Sequence, residues 1–85
     1  MLQVHMARYF LHVKNGPKVL RDPDGQEFEG LAAAREEAIA AALELMSESL
    51  RVRAPLGLGR QMLIQDEQGV TVASISFAEA LPAAG

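Results

Sequence analysis

The chain has no cysteine, no tryptophan and only two histidines, and its aromatic residues are one tyrosine and three phenylalanines. Without cysteine it has no disulfide, no thiol nucleophile and no cysteine-ligated zinc or iron–sulfur centre. The two histidines, His5 and His12, are too few for a metal site made only of histidines. We therefore expect no bound metal and no cofactor.

Excess charge of one sign and long apolar runs are also missing. Eight Lys and Arg residues stand against eleven Asp and Glu, a net charge of −3, whereas nucleic-acid-binding domains usually show a basic patch or stripe. No stretch approaches the roughly 20 apolar residues that span a membrane. The first ten residues, MLQVHMARYF, lack the pattern of a signal peptide. We expect a cytoplasmic protein that binds neither membranes nor, specifically, nucleic acid.

Length and hydrophobic content indicate a single folded domain. Eighty-five residues fit one domain, and a hydrophobic content of 49% is ordinary for a globular chain. We expect one small α+β domain over residues 1–85, with an ordered core from about residue 7 to residue 81.

Residues 31–51, LAAAREEAIAAALELMSESLR, form the one segment with a clear helical period. At about 100° per residue, most of their apolar side chains fall on one arc, which predicts a single amphipathic helix. Arg35 lies inside that arc and breaks the pattern. We favour a structural interpretation, in which its stem packs on a sheet and its head pairs with an acidic residue, over contact with an anion or a partner.

Short β-like segments on both sides of the helix end at turn sequences. Asn15-Gly16 predicts a hairpin turn, and two Asp-x-x-Gly sequences, beginning at Asp22 and Asp66, predict further turns. The result is a ββαββ fold of the α+β class, an antiparallel sheet with one amphipathic helix packed on one face. The predicted strands are residues 7–14, 18–21, 61–65 and 70–77.

Three motifs carry a resemblance to a known family. RYFLHV at residues 8–13, RDPDG at 21–25 and AAREEA at 33–38 resemble a family of small bacterial domains of unknown function. Its members share an RYFFHV-like first strand, D-x-x-G turns and an AAR-x-EA helix start. The likeness runs from residue 8 to about residue 81. The resemblance implies a fold but no activity, because none is established for the family.

No motif carries recognisable catalytic or metal chemistry. Residues 22–25 could begin a calcium loop, but position 12, counted from Asp22, is Ala33 instead of the required Glu. His12 has no acidic neighbour in sequence, and no Ser or Thr lies in a nucleophile elbow; pairing of His12 with Asp22 across the hairpin stays open. We therefore predict no catalytic residue and no enzymatic activity.

Four arginines are weak candidates for anion contacts. Three of them bracket a Gly-Leu-Gly sequence that follows the helix, whereas a phosphate-binding loop precedes a helix. The helix dipole and solubility explain these three well enough. The candidates are Arg35, Arg51, Arg53 and Arg60.

The leading hypothesis for function is a small protein-interaction module, acting as a homodimer or docked on another protein. Because several strands offer apolar side chains to both sides, we expect an interaction face on the side away from the helix, with Arg8, Phe10 and His12. Open strand edges offer a second route. Residues 25–46 are loosely similar to the amino-terminal domain of HicB antitoxins, so a neutralising antitoxin-like domain is one alternative. A weak nucleic-acid or anion binder is the other.

Overall fold

The computed structural model describes residues 5–82. It confirms the predicted α+β class and adds two short elements to the predicted ββαββ order. The expected loss of order after residue 81 concerns mainly residues 83–85, which lie outside the described part. The elements are β1 (Ala7–Asn15), β2 (Lys18–Leu20), β3 (Gln26–Phe28), α1 (Leu31–Arg51), β4 (Gln61–Gln65), β5 (Thr71–Ser76) and α2 (Phe77–Ala80).

β1 organises the antiparallel sheet, in which the strands follow the order β2-β1-β4-β5. β4 pairs with residues 10–14 of β1. β2 pairs with residues 13–15 and β3 with residues 7–9. Since β4 overlaps β2 along β1, these two strands lie on opposite edges of β1. The segment from β2 to β3 therefore acts as one broken strand. β3, which is only three residues long, forms a fifth strand beyond the four of the predicted ββαββ order.

The break between β2 and β3 lies directly against β1. Gly25 has a φ of 67°, a left-handed conformation that glycine adopts without steric cost. A Cβ at this position would be 2.8 Å from a ring carbon of Phe10 and 2.9 Å from the carbonyl oxygen of Tyr9. Both the backbone conformation and the lack of space require glycine here.

The core lies between α1 and one face of the sheet. Alternate residues of β1, namely Tyr9, Leu11 and Val13, point to this face and are partly buried. The register places Leu11 opposite Ile64 and Val13 opposite Met62. The fully or nearly fully buried apolar residues are Phe28, Ala34, Ala38, Ala42, Met46, Met62, Ile64, Ile75, Phe77 and Ala80.

The buried stripe of α1 lies within the predicted apolar arc but is narrower than that arc. Ala34, Ala38, Ala42 and Met46 are buried, so the buried positions recur every four residues. Such a row is inclined to the helix axis, which means that the contact face rotates along the helix. Arg35 lies inside the average arc but outside this inclined row, and it is exposed. Its stem does not pack in the core, contrary to the interpretation that we favoured.

The end of β5 also differs from the prediction, because Phe77 begins a helix instead of ending a strand. Ser76 caps α2: its hydroxyl accepts a hydrogen bond from the Glu79 N–H, and the Glu79 carboxylate accepts one from the Ser76 N–H. This capping box satisfies two backbone donors. The Phe77 side chain is fully buried, and its apolar character made the segment resemble a continuing strand.

Packing of alanines against the sheet generates a first prediction. Ala38 has no exposed surface, so Ala38→Leu should overpack the helix–sheet contact and lower the free energy of unfolding by about 1–3 kcal/mol. Ala40 is exposed on the same helix, and Ala40→Leu should change it by less than about 0.5 kcal/mol. Urea denaturation of both variants measures the difference. Equal midpoints would show that the inclined row is assigned to the wrong face.

Candidate functional site

The candidate site is the sheet face that α1 leaves uncovered, here called the open face. Side chains alternate along each strand, and the register places His12 opposite Leu63 and Leu63 opposite Ser74. This face is mixed in character, more polar than the sequence predicted. Its members from the three longest strands are Arg8, Phe10, His12, Lys14, Gln61, Leu63, Gln65, Thr71, Ser74 and Ser76.

His12 is buried on this face, with only 4% of its surface exposed. The backbone N–H of Asp22 donates to its Nδ1 at 2.9 Å. Since Nδ1 accepts a hydrogen bond, the ring proton belongs on Nε2, which donates to the Gln65 Oε1 at 3.0 Å. The Gln65 Nε2 in turn donates to the Thr71 hydroxyl at 3.2 Å. Both ring nitrogens are therefore occupied by structural bonds.

Phe10 lies beside the histidine and completes a small cluster. The two rings are nearly parallel, with centroids 6.4 Å apart and an interplanar angle of 21°. The Phe10 ring also occupies the space that a Cβ at residue 25 would take, so it lies close to the loop that follows β2. Of the predicted interaction residues, Arg8 and Phe10 are half-buried and partly accessible. His12 is not accessible, because the residue 22–25 loop and Gln65 cover it.

Asp22 fixes this loop through its side chain. Its carboxylate accepts hydrogen bonds from the N–H groups of Leu11 at 3.3 Å, Asp24 at 3.3 Å and Gly25 at 3.1 Å. The bond from Leu11 replaces the strand pairing that β1 lacks between β2 and β3. Asp22 and His12 are thus linked through the Asp22 backbone, and the pairing left open by the sequence takes this form.

The Asp22 carboxyl has a lowered pKa. Burial acts in the opposite direction and favours the neutral acid. The hydrogen bonds from Gly25, Leu11 and Asp24 together outweigh burial. The ionised carboxylate is therefore the form that the folded loop stabilises.

Arg8 ties the same loop to the start of β1. One guanidinium nitrogen donates to the Asp24 carbonyl oxygen at 2.8 Å, and another lies 3.8 Å from the Glu27 carboxylate. Both partners of this ion pair are substantially exposed, so it adds about 0–1 kcal/mol to stability. The hydrogen bond to a backbone oxygen is the more directional contact.

The four candidate arginines do not form a common anion site. Arg35 and Arg51 are sixteen residues apart on one helix, which separates their backbones by roughly 24 Å. Arg51 pairs with Glu44 and Glu48 on α1. These pairs explain its place on the helix without an anionic ligand.

Arg60 is engaged within the fold. Its guanidinium donates to the carbonyl oxygens of Leu56 at 2.7 Å and Gly57 at 3.3 Å. It also lies 4.4 Å from the centroid of the Phe77 ring, a cation–π geometry. A Cβ at Gly57 would overlap the Arg60 side chain. Arg60 therefore closes the loop before β4 and connects it to α2.

Arg53 ends α1 in a left-handed conformation, with a φ of 57°. The N–H of Ala54 bonds to the carbonyl of Ser49, and the N–H of Arg53 bonds to that of Leu50. This is a Schellman ending, whose left-handed position is usually glycine. Arg53 itself is exposed.

The described residues contain a shallow cleft of about 240 Å³. It is open and lies between the start of β1 and the turn after β4. Residues 5–82 contain no group of three or more His, Asp or Glu side chains that could hold a metal ion. The lining residues are Ala7, Arg8, Tyr9, Asp66, Glu67 and Gln68.

The protein is a small α+β domain, and the polar side chains of the candidate site form hydrogen bonds that hold its strands and loops together. The chain belongs to the DUF6894 family, described as a domain of unknown function, which matches residues 8–78. The predicted resemblance to a family of small uncharacterised domains is thereby confirmed. No curated protein and no solved structure shows a significant match. In the part described, residues 5–82, no helix is both long and apolar enough to cross a membrane.

Sequence reasoning missed Gln65 and Thr71, the outer members of the polar chain that begins at His12. Nothing in the local sequence around these two residues marks them, because the series of hydrogen bonds links three different strands, β1, β4 and β5. One signal was available: His12 is a polar residue in the middle of β1, between the apolar residues Leu11 and Val13. A buried histidine at such a position needs partners on the neighbouring strands.

The lowered pKa of Asp22 predicts a specific response to acid. The stability from the ionised carboxylate is fully present above the ordinary carboxyl pKa and is lost as the pH falls through the lower folded value. Asp22→Asn should lower the free energy of unfolding by about 1 kcal/mol at neutral pH. The gap to the wild type should narrow in acid.

Urea denaturation at a series of pH values measures this gap. Asp24→Asn, which removes an exposed carboxylate two residues away, is the matched control and should leave the acid dependence close to that of the wild type. A gap for Asp22→Asn that stays constant from neutral to strongly acidic pH would contradict the assigned role.

The left-handed residue at the end of α1 gives a prediction in the stabilising direction. Arg53→Gly should raise the free energy of unfolding by about 1 kcal/mol, since glycine adopts this conformation without a Cβ clash. Arg51→Gly, two residues earlier in the regular helix, should lower it by about 1 kcal/mol. Thermal unfolding of the two variants distinguishes the positions. A loss of stability in Arg53→Gly would mean that its side chain makes a stabilising contact.

Proposed function

We propose that this domain is a cytoplasmic protein-interaction module without catalytic activity, and that the open face receives the partner. The observation that carries the proposal is that the helices of the described part lie on one side of the sheet. Within residues 5–82, α1 and α2 contact each other and the core side of the strands. The open face has Phe10 and Leu63 near its centre and only the residue 22–25 loop beside them.

The loop makes this surface well ordered before any partner arrives. Asp22 is held by hydrogen bonds to β1, and its backbone N–H is held by His12. Gln65 links the same cluster to Thr71. A surface with fixed side chains loses less conformational entropy on binding than a mobile one, which favours recognition through this face.

The charges suggest the chemistry of the partner. Lys14 lies at one end of the open face and Arg8 at the other, and both are on β1 with Phe10 between them. Arg8 is paired with Glu27, whereas Lys14 has no ion pair among the contacts within residues 5–82. A partner that fits presents an apolar side chain to Phe10 and Leu63 and an acidic group to Lys14.

A matched pair of variants tests the proposal. Leu63→Gln changes the open face, and Leu20→Gln changes an apolar side chain that is 73% exposed on β2, outside that face. Affinity capture from host lysate, quantified by mass spectrometry, should recover the same partner with wild type and Leu20→Gln. Leu63→Gln should weaken capture by about tenfold, the effect of losing roughly 1.4 kcal/mol at an interface.

Denaturation curves of both variants establish that they are folded. Equal capture by all three proteins would place the binding surface elsewhere. Failure of the wild type to retain any protein whose binding depends on Leu63 would overturn the open face as a docking surface.

A further inference from the structure

The two outer edges of the sheet are protected very differently. An edge strand exposes unpaired N–H and C=O groups, and proteins usually shield it with charge, proline, a bulge or a short length. On the β1 side, β2 has three residues, follows Pro17 and begins with Lys18. The adjoining β3 also has three residues and contains Glu27. That edge is short, interrupted and charged.

The opposite edge, β5, has little of this protection. Its six residues, TVASIS, include no charged residue and no proline. Among residues 5–82, β5 pairs only with β4. The one protective feature is a register shift near Thr71, opposite Ile64 and Gln65. From Ala73 to Ser76 the pairing with β4 is regular, so the outer side of this half-strand is a free and regular edge.

We propose that β5 pairs antiparallel with β5 of a second copy of this chain, about a two-fold axis near Ser74. The four strands β2-β1-β4-β5 of each copy then form one continuous sheet with those of the other copy. This inference goes beyond the proposed function, because it concerns an edge of the sheet and not its open face.

A second copy fits this edge because the strand is complementary to itself. In an antiparallel pair about Ser74, Ser74 faces its own symmetry mate, and Ala73 faces Ile75 of the other copy. Ala73 and Ile75 are on the core side of the sheet, where Ile75 is buried and Ala73 partly buried. Ser74 is exposed on the open face. No like charges meet, and apolar side chains adjoin apolar ones across the axis.

The exposed apolar residues near the start of the strand agree with this arrangement. Val70 is 56% and Val72 is 38% exposed. Val72 directly precedes the regular half-strand that pairs in the proposed dimer. Pairing at this edge would therefore shield apolar surface as well as unpaired backbone groups, and both contributions favour association.

Ser74→Lys is the direct test, because it places two like charges opposite each other at the axis, where they repel. Ser47→Lys makes the same substitution on the exposed side of α1 and is the matched control. Sedimentation equilibrium on the full chain, from low micromolar to near-millimolar concentration, reports the mass. The wild type and Ser47→Lys should rise from 9.2 kDa towards twice that mass, while Ser74→Lys stays at the monomer mass.

Hydrogen exchange on the wild type gives a second readout that needs no variant. Amide protons on the outer side of β5 should become protected as concentration rises, and those of β2 should not. A wild type that remains monomeric over the whole range, with unprotected outer amides, would overturn the proposal. A Ser74→Lys protein that dimerises as well as the wild type would also overturn it. Neither result would affect the Leu63-dependent capture of another protein.

Discussion

The hydrogen bonds of the Asp22 carboxylate are the constraint on which the rest of the sheet depends. β1 needs a partner along its whole outer edge, but β2 and β3 cover only the ends of that edge. The carboxylate accepts the N–H of Leu11 in the gap and also holds the Gly25 turn. These bonds place β3 against β1, and α1, which follows β3 in the chain, then covers the core. Without this bridge, the segment between β2 and β3 would keep only its short ladders with β1 and the bonds made by Arg8 and His12.

The same loop decides the character of the open face. The Asp22 N–H fixes His12, and His12 fixes Gln65 on β4. A histidine that would otherwise be exposed at the centre of the sheet is thereby buried with both ring nitrogens satisfied. What remains accessible is narrower than a bare sheet face: Phe10, Leu63 and their polar neighbours. The internal bonds of the loop thus define the surface that a partner can use.

The sequence predicted the elements that are long enough to show a periodic pattern of apolar residues, and it did not define the shorter ones. The bounds of α1 and β4 agree with the prediction, since a helix of 21 residues and an apolar strand of five carry a period. β3 and α2 have three and four residues, too few to show one. The site was less predictable, because burial of His12 arises from partners ten and fifty-three residues away. Arg35 was misplaced because an average arc ignores the inclination of the buried row.

The protonation state of the His12 ring tests the central claim most directly. The bond from the Asp22 N–H to Nδ1 requires the tautomer with its proton on Nε2. Long-range nitrogen–proton correlation NMR of the labelled protein at neutral pH distinguishes the two tautomers by their nitrogen shifts. The account predicts an unprotonated Nδ1 and a protonated Nε2. A proton on Nδ1 would show that Asp22 does not donate to His12, and that the loop is held in another way.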